Sequence, residues 1–167
     1  GQGAVAQMTL TQLRALTIRD GEQIPTLEEV IQTLGVEPYI FVEIKHAAAA
    51  IQAAQMIERF IAQGFGREKL CLISFMHDGL MTARKAFPEL TIGASYKELA
   101  PSFVSDARAL DAKYILPLHR KLTEARTKEA HEAGLKVVCW TVNEPADIDW
   151  IRNFNVDGII SDYPDRL

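Results

Sequence analysis

Six short apolar runs, each followed by a stretch with helical periodicity, limit what this chain can fold into more than any other feature. The runs are residues 38–45, 70–75, 91–95, 114–118, 136–142 and 156–161. They are rich in β-branched and aromatic residues and have almost no polar alternation. That pattern marks strands buried on both faces, as in parallel sheets covered by helices, rather than hairpins with one wet face. Helices are expected between them at 47–63, at 78–87 (stopped before Pro88), at 103–110, from Thr123 to residue 133 before Gly134, and from Asn143 through Ile148 and Ile151. Pro145 suits the first turn of the last one, with Asn143 as its cap. The fold class is α/β.

Two helices precede the first run. Thr9 with Gln12 and Thr26 with Glu29 each read as a capping box, in which side chain and backbone satisfy one another across the first turn. Leu10, Leu13 and Leu16 share a face of the first helix. Leu27, Val30, Ile31 and Leu34 stripe the second, which ends at Gly35, and Asp20 with Gly21 makes a turn between the two.

Two architectures fit six alternating strands: an open doubly wound sheet, or part of an eight-stranded (β/α) barrel, which typically takes about 250 residues. The chain has 167 residues and is 48% hydrophobic, enough for one domain spanning 1–167. No G-x-G-x-x-G or P-loop string follows any strand, which weakens a nucleotide-binding sheet. A formal charge of −4, with lysine and arginine scattered, argues against a nucleic-acid partner. No apolar run reaches bilayer-spanning length and no signal-peptide pattern is present in the visible chain, which reads as soluble; a cytoplasmic location is the expectation, any signal peptide lying upstream. Cys71 and Cys139 lie inside strands as small hydrophobes, consistent with a reducing compartment. The opening GQGAVAQ, without an initiating methionine, leads us to expect a portion of a longer protein.

In parallel α/β folds the chemistry gathers at the carboxyl ends of strands. Within PYIFVEIK, Glu43 and Lys45 share a face opposite Ile44, a carboxylate and an ammonium at the strand-to-helix edge. Glu43 is the best-placed oxygen donor for Mg²⁺ or Ca²⁺, and Lys45 could meet an anionic oxygen; alternatively the two simply neutralise each other. Trp140 either walls a pocket or fills the core. Ser74, His77, Asp78, Ser95, His119, Asn143 and Asp162 complete the set of polar residues near strand ends. Asp78 next to His77 is read as a helix N-terminal cap rather than half of a dyad, because adjacent helical residues do not face each other. Asn143 is read as a cap and Asp162 as ligand or turn former. His119 is a candidate acid or base, and His46 and His131 are read as helix-surface residues. No histidine and cysteine spacing suggests zinc, and Ser74 lacks a nucleophile-elbow context.

Taken together, IPTLEEVI, FVEIK, the Ser74-Phe75 pair, AHEAGLKVVCWTVNEP and VDGIISDYPDRL resemble the glycerophosphodiester phosphodiesterase family in order and spacing, along the whole chain. The resemblance implies a (β/α)₈ TIM barrel that uses a divalent cation, Mg²⁺ or Ca²⁺, to hydrolyse glycerophosphodiesters to glycerol 3-phosphate and an alcohol. Glu43 matches the metal-binding glutamate of the family's third strand, and Lys45 the lysine that contacts the phosphate. Trp140 matches the tryptophan that lines the glycerol pocket, and Phe75 the aromatic after the fourth strand.

The family's histidine-arginine-glycine, its glutamate and aspartate metal ligands and its histidine-aspartate pair have no match here. The resemblance therefore places both catalytic histidines upstream of Gly1. An incomplete barrel lacking its first two strands is expected, inactive by itself and able to self-associate through open edges. A lysophospholipase D-like enzyme on the same fold and a non-catalytic binding barrel remain as alternatives.

Overall fold

The computed structural model describes residues 3–167, apart from the side chain of Arg19, and divides into two compact units, Gly1–Pro38 and Tyr39–Leu167. In the first unit, α1 (Leu10–Arg14) and α2 (Leu27–Leu34) both begin with complete capping boxes, Thr9 with Gln12 and Thr26 with Glu29. Each box satisfies amide donors that a helix start leaves without partners. Arg14 of α1 forms an ion pair with Glu29 of α2. That hydrogen bond, with those from Thr26, holds the Glu29 carboxyl down at about 2. Gly35 ends α2 with φ 70°, a left-handed conformation open to glycine, while Asp20 takes φ 62° in the turn between the helices.

The second unit is a parallel sheet in which strand follows strand in sequence order, β1-β2-β3-β4-β5-β6. The strands are β1 (Ile40–Glu43), β2 (Leu70–Ser74), β3 (Thr91–Tyr96), β4 (Tyr114–Pro117), β5 (Lys136–Cys139) and β6 (Gly158–Ile159). The helices between them are α3 (Ala50–Ala62), α4 (His77–Ala86), α5 (Phe103–Ala109), α6 (Glu124–Glu132) and α7 (Pro145–Arg152). A doubly wound sheet reverses its strand order and carries helices on both faces. Here the order never reverses, and one face is lined only by strand residues and their immediate extensions, among them Cys71, Ile73, Tyr114, Leu116 and Val138. The sheet curls around that face: the rings of Phe41 on β1 and Tyr114 on β4 meet edge to face at 5.1 Å.

Alternation along each strand divides the side chains. Leu70, Leu72, Ile92, Ile115, Val137 and Cys139 lie on the convex face, all fully buried. The concave face is less well covered. Phe41 is half-buried and Glu43 exposed, so β1 is not sealed on both faces as the apolar run implied. Among the described strands β1 and β6 each have one neighbour and do not pair with each other.

Other boundaries differ from the sequence reading for identifiable reasons. Residues Ala47–Ala49 form a 3₁₀ turn rather than the start of α3. His46 caps it by accepting a hydrogen bond from Ala48 N at 3.3 Å, so it is not a plain surface residue. His131 likewise has a partner, Asp157 at 2.9 Å, whose same oxygen accepts from Val137 N, tying α6, β5 and the start of β6 together. Residue 76 caps α4, leaving Asp78 in the first turn, where its charge suits the helix dipole. Asn143 does not cap α7; Glu144 precedes Pro145, with no side-chain cap. Asn143 instead clamps the loop after β6, accepting from Asp162 N at 2.9 Å and from Ser161 Oγ at 3.3 Å, and donating to Asp162 Oδ2 at 2.9 Å.

Both cysteines are free and buried. Burial pushes the Cys71 thiol far up and the Cys139 thiol to about 11, so neither is a nucleophile at neutral pH.

Gly93 of β3 faces the concave side, where an added Cβ would stand 2.7 Å from Leu116 Cδ1 and 3.1 Å from both Ile73 Cγ2 and Tyr114 Cβ. Gly93→Ala should therefore lower stability by about 1–3 kcal/mol through overpacking, measured by denaturant unfolding; a neutral change would show that these neighbours yield freely. Asn143→Ala should cost about 1 kcal/mol and speed hydrogen exchange at the Asp162 amide. Unaltered exchange there would mean that other contacts hold the loop.

Candidate functional site

Parallel strands deliver all their carboxyl ends to one rim, and here that rim gathers polar side chains over an apolar floor. Glu43 closes β1 opposite Ile73 of β2. Lys45, two residues on, shares its face, with Nζ 3.3 Å from Glu43 Oε1. Ile44 turns the other way and is buried; a Cβ on Gly79 in α4 would come within 3.3 Å of its Cδ1. The lysine side chain is 81% exposed and the glutamate 31%, so the pair faces solvent. An ion pair so placed contributes about 0–1 kcal/mol. It does not lock either group.

Phe75 and Trp140 form the facing wall, with ring centroids 5.2 Å apart at an interplanar angle of 86°. The indole is fixed from beneath: Nε1 donates to Leu116 O at 2.7 Å. Its backbone is fixed as well, with Trp140 N donating to Pro117 O and Trp140 O accepting from His119 N at 2.9 Å. The His119 ring adds a second bond, Nδ1 to Trp140 O at 3.2 Å. Because a carbonyl only accepts, Nδ1 carries the proton. Trp140 is thus a half-buried wall residue, packed below and open toward the rim.

Glu43, Lys45, Phe75 and Trp140 line a common cleft of about 290 Å³ with Ser95 at its base. Lys97 joins Glu43, Lys45, Phe75 and Trp140 around an adjoining lobe. A larger hollow of about 400 Å³ lies between Phe41, Tyr114 and Val138, at the opposite end of the concave face. That hollow is mostly apolar, its polar side chains being Tyr39, Tyr114, Lys136 and Asp157, with no carboxylate and ammonium among them paired as at the rim.

The remaining sequence candidates take supporting places. Ser74 is buried, donating to Ile44 O at 2.8 Å and accepting from Met76 N at 2.9 Å, which stitches the β2–α4 turn and leaves no free hydroxyl. His77 Nε2 lies 3.2 Å from Ser95 O, and its ring meets Tyr96 edge-on at 5.0 Å. The Tyr96 hydroxyl donates to Phe103 O, and burial raises it to about 12. His119 is buried behind Trp140, its Nε2 3.5 Å from Asp147 Oδ2 and, among the described residues, without a hydrogen-bond partner for that atom. It supports the wall and does not reach the cleft as an acid or base.

Lys97 is the residue that sequence reasoning passed over. A strand ending at Ser95 left it in a loop, whereas β3 runs to Tyr96. Alternation then sets Gly93, Ser95 and Lys97 on one face, the same two-residue step that joins Glu43 to Lys45.

A divalent hard cation needs several oxygen ligands. Glu43 supplies the right donor type, but among the described residues no three histidine, cysteine, aspartate or glutamate side chains come together. These residues by themselves do not make a cation site. No helix among them is long and apolar enough to cross a membrane.

Comparison with known proteins places the chain in a family. A curated relative, the glycerophosphodiester phosphodiesterase of Caldanaerobacter subterraneus, is 27% identical over 177 residues, covering the whole chain and 72% of the relative. Two solved structures share the fold. An Oleispira antarctica phosphodiesterase in complex with its product sn-glycerol-3-phosphate superposes with TM-score 0.83 at 21% identity, over 98% of this chain and 70% of that one. A glycerophosphodiester phosphodiesterase from Agrobacterium tumefaciens gives TM-score 0.80 at 19% identity, over 99% and 73% respectively. The family model for the Glycerophosphoryl diester phosphodiesterase family matches residues 1–166. The chain belongs to the glycerophosphoryl diester phosphodiesterase family.

Proposed function

We propose that the chain provides strands three to eight of a (β/α)₈ barrel, and that the intact enzyme hydrolyses glycerophosphodiesters to glycerol 3-phosphate and an alcohol. The observation that carries this reading is the coincidence of a family match over 1–166 with a carboxylate and an ammonium 3.3 Å apart at the carboxyl rim of the curled sheet. That match runs through both compact units without a break, which supports treating 1–167 as one domain.

Each rim residue has a role in this reading. Lys45, largely exposed, meets the negative charge of the phosphate oxygens. Trp140 offers flat apolar surface to the CH faces of glycerol, and Phe75 bounds the substrate beside it. Glu43 contributes one oxygen ligand to Mg²⁺ or Ca²⁺, the remaining ligands and the proton-transferring histidines coming from outside these residues. When bound, such a cation stabilises charge on the phosphate. The product-bound Oleispira relative supports glycerol 3-phosphate as the ligand class. Two buried free thiols favour a reducing, cytoplasmic setting.

With a single carboxylate available, the 167 residues alone should be inactive. The full-length gene product should release glycerol 3-phosphate from glycerophosphocholine when Mg²⁺ or Ca²⁺ is added, and Glu43→Ala should reduce that rate at least about 100-fold. Turnover that persists in the variant, or that ignores chelation, would remove Glu43 from the metal site. The polypeptide 1–167 should also self-associate through the free edges of β1 and β6, sedimenting above its 18.6 kDa monomer mass. A strict monomer at all concentrations would rule this out.

A further inference from the structure

Besides Glu43 and Lys45, the mouth holds a second ammonium that the reading above leaves without a task. Lys97 Nζ stands 5.6 Å from the centroid of the Phe75 ring, within cation–π range. Its neighbour Glu98 is engaged elsewhere, paired with Lys121 at 3.0 Å. Glu43 is paired with Lys45. Among the described residues no ion pair neutralises Lys97, so Glu43, Lys45 and Lys97 together carry one net positive charge beside the aromatic wall.

An aromatic pair open to a cleft is the usual receptor for a quaternary ammonium, because the ring face carries the negative end of its quadrupole. Here that place on Phe75 is already taken by the protein's own cation. Trp140 stands against Phe75 edge to face with its indole N–H committed to Leu116 O, and its open surface is the one given to glycerol above, so Phe75 is the ring a head group would meet. A choline group approaching this wall would have to displace Lys97 and sit close to a like charge. A polyol would meet no such opposition and could accept hydrogen bonds from the ammonium.

We propose that Lys97 is a specificity-determining residue of this mouth, selecting glycerophosphodiesters whose head group is an uncharged polyol or an anion against those bearing a quaternary ammonium. The inference rests on the phosphodiesterase reading and adds the substrate class to it. Two diesters with the same glycerol phosphate half and different head groups separate the two claims.

The test compares kcat/KM for glycerophosphocholine and glycerophosphoglycerol in the full-length gene product, following glycerol 3-phosphate release. The native enzyme should favour glycerophosphoglycerol. Lys97→Met should shift the ratio toward glycerophosphocholine by about fivefold, and Lys97→Glu should shift it further, whereas Lys97→Arg should keep it near the native value. A ratio that does not move in the Met and Glu variants, or a native preference for choline, overturns the role of Lys97 and leaves the phosphodiesterase reading standing. No glycerol 3-phosphate from either diester overturns both.

Discussion

Phe41 and Tyr114 belong to strands three places apart in the sheet, yet their rings meet at 5.1 Å, and that contact is possible only because the sheet curls. In a flat parallel sheet, strands spaced about 4.8 Å apart would hold β1 and β4 well beyond ring contact. The curl encloses a concave side filled by strand residues, and the parallel direction sends every strand's last side chain to the same rim. Glu43, Ser95 and Trp140 come from β1, β3 and the end of β5, and they share a cleft because of those two properties together.

Packing inside the curl leaves little freedom. Gly93 stands where Leu116, Ile73 and Tyr114 converge, and absence of a side chain there lets β3 sit between its neighbours without forcing the curl open. Toward the rim the packing gives way to hydrogen bonds. Trp140 is held by its indole N–H and by three bonds to its backbone at the point where β5 leaves the sheet, and His119 contributes two of the four partner groups. A wall residue fixed in this manner has little rotamer freedom left to lose when a ligand arrives, which favours binding.

The strands were legible because burial writes itself into composition: runs such as LCLIS and YILP have no alternative to a covered parallel sheet. Strand order was not legible, since an open sheet and a curled one draw on the same apolar runs, and only the register and the Phe41–Tyr114 contact separate them. The site was legible where alternation acts on a short clear strand, as at Glu43 and Lys45. It was obscured at Lys97, where β3 continues past the point at which its apolar run stops. Asn143 misled for a different reason. An Asx side chain before proline suits a helix cap, but the loop after β6 offered it an amide, a hydroxyl and a carboxylate at once. His131 and Asp157 show the reverse: their contact explains why AHEAGLKVVC and VDGIISD belong together, and nothing local in either string announces it.

The weakness of the Glu43–Lys45 pair is what makes the rim usable. Had the two groups been fully buried, removing one partner would leave the other charge unpaired at a cost of about 3–5 kcal/mol, and neither would be free to turn toward a ligand. With Lys45 81% exposed and Glu43 31%, solvent screens their attraction, so neither group is locked and each can take another partner, as the proposed phosphate and cation roles require. Lys97 differs in kind. Its partner is a ring, which gives up no charge when a ligand binds, and its positive field persists through the encounter. In the proposed reading one ammonium at this mouth changes partners and the other excludes competitors, a division that follows from what each was given as a neighbour.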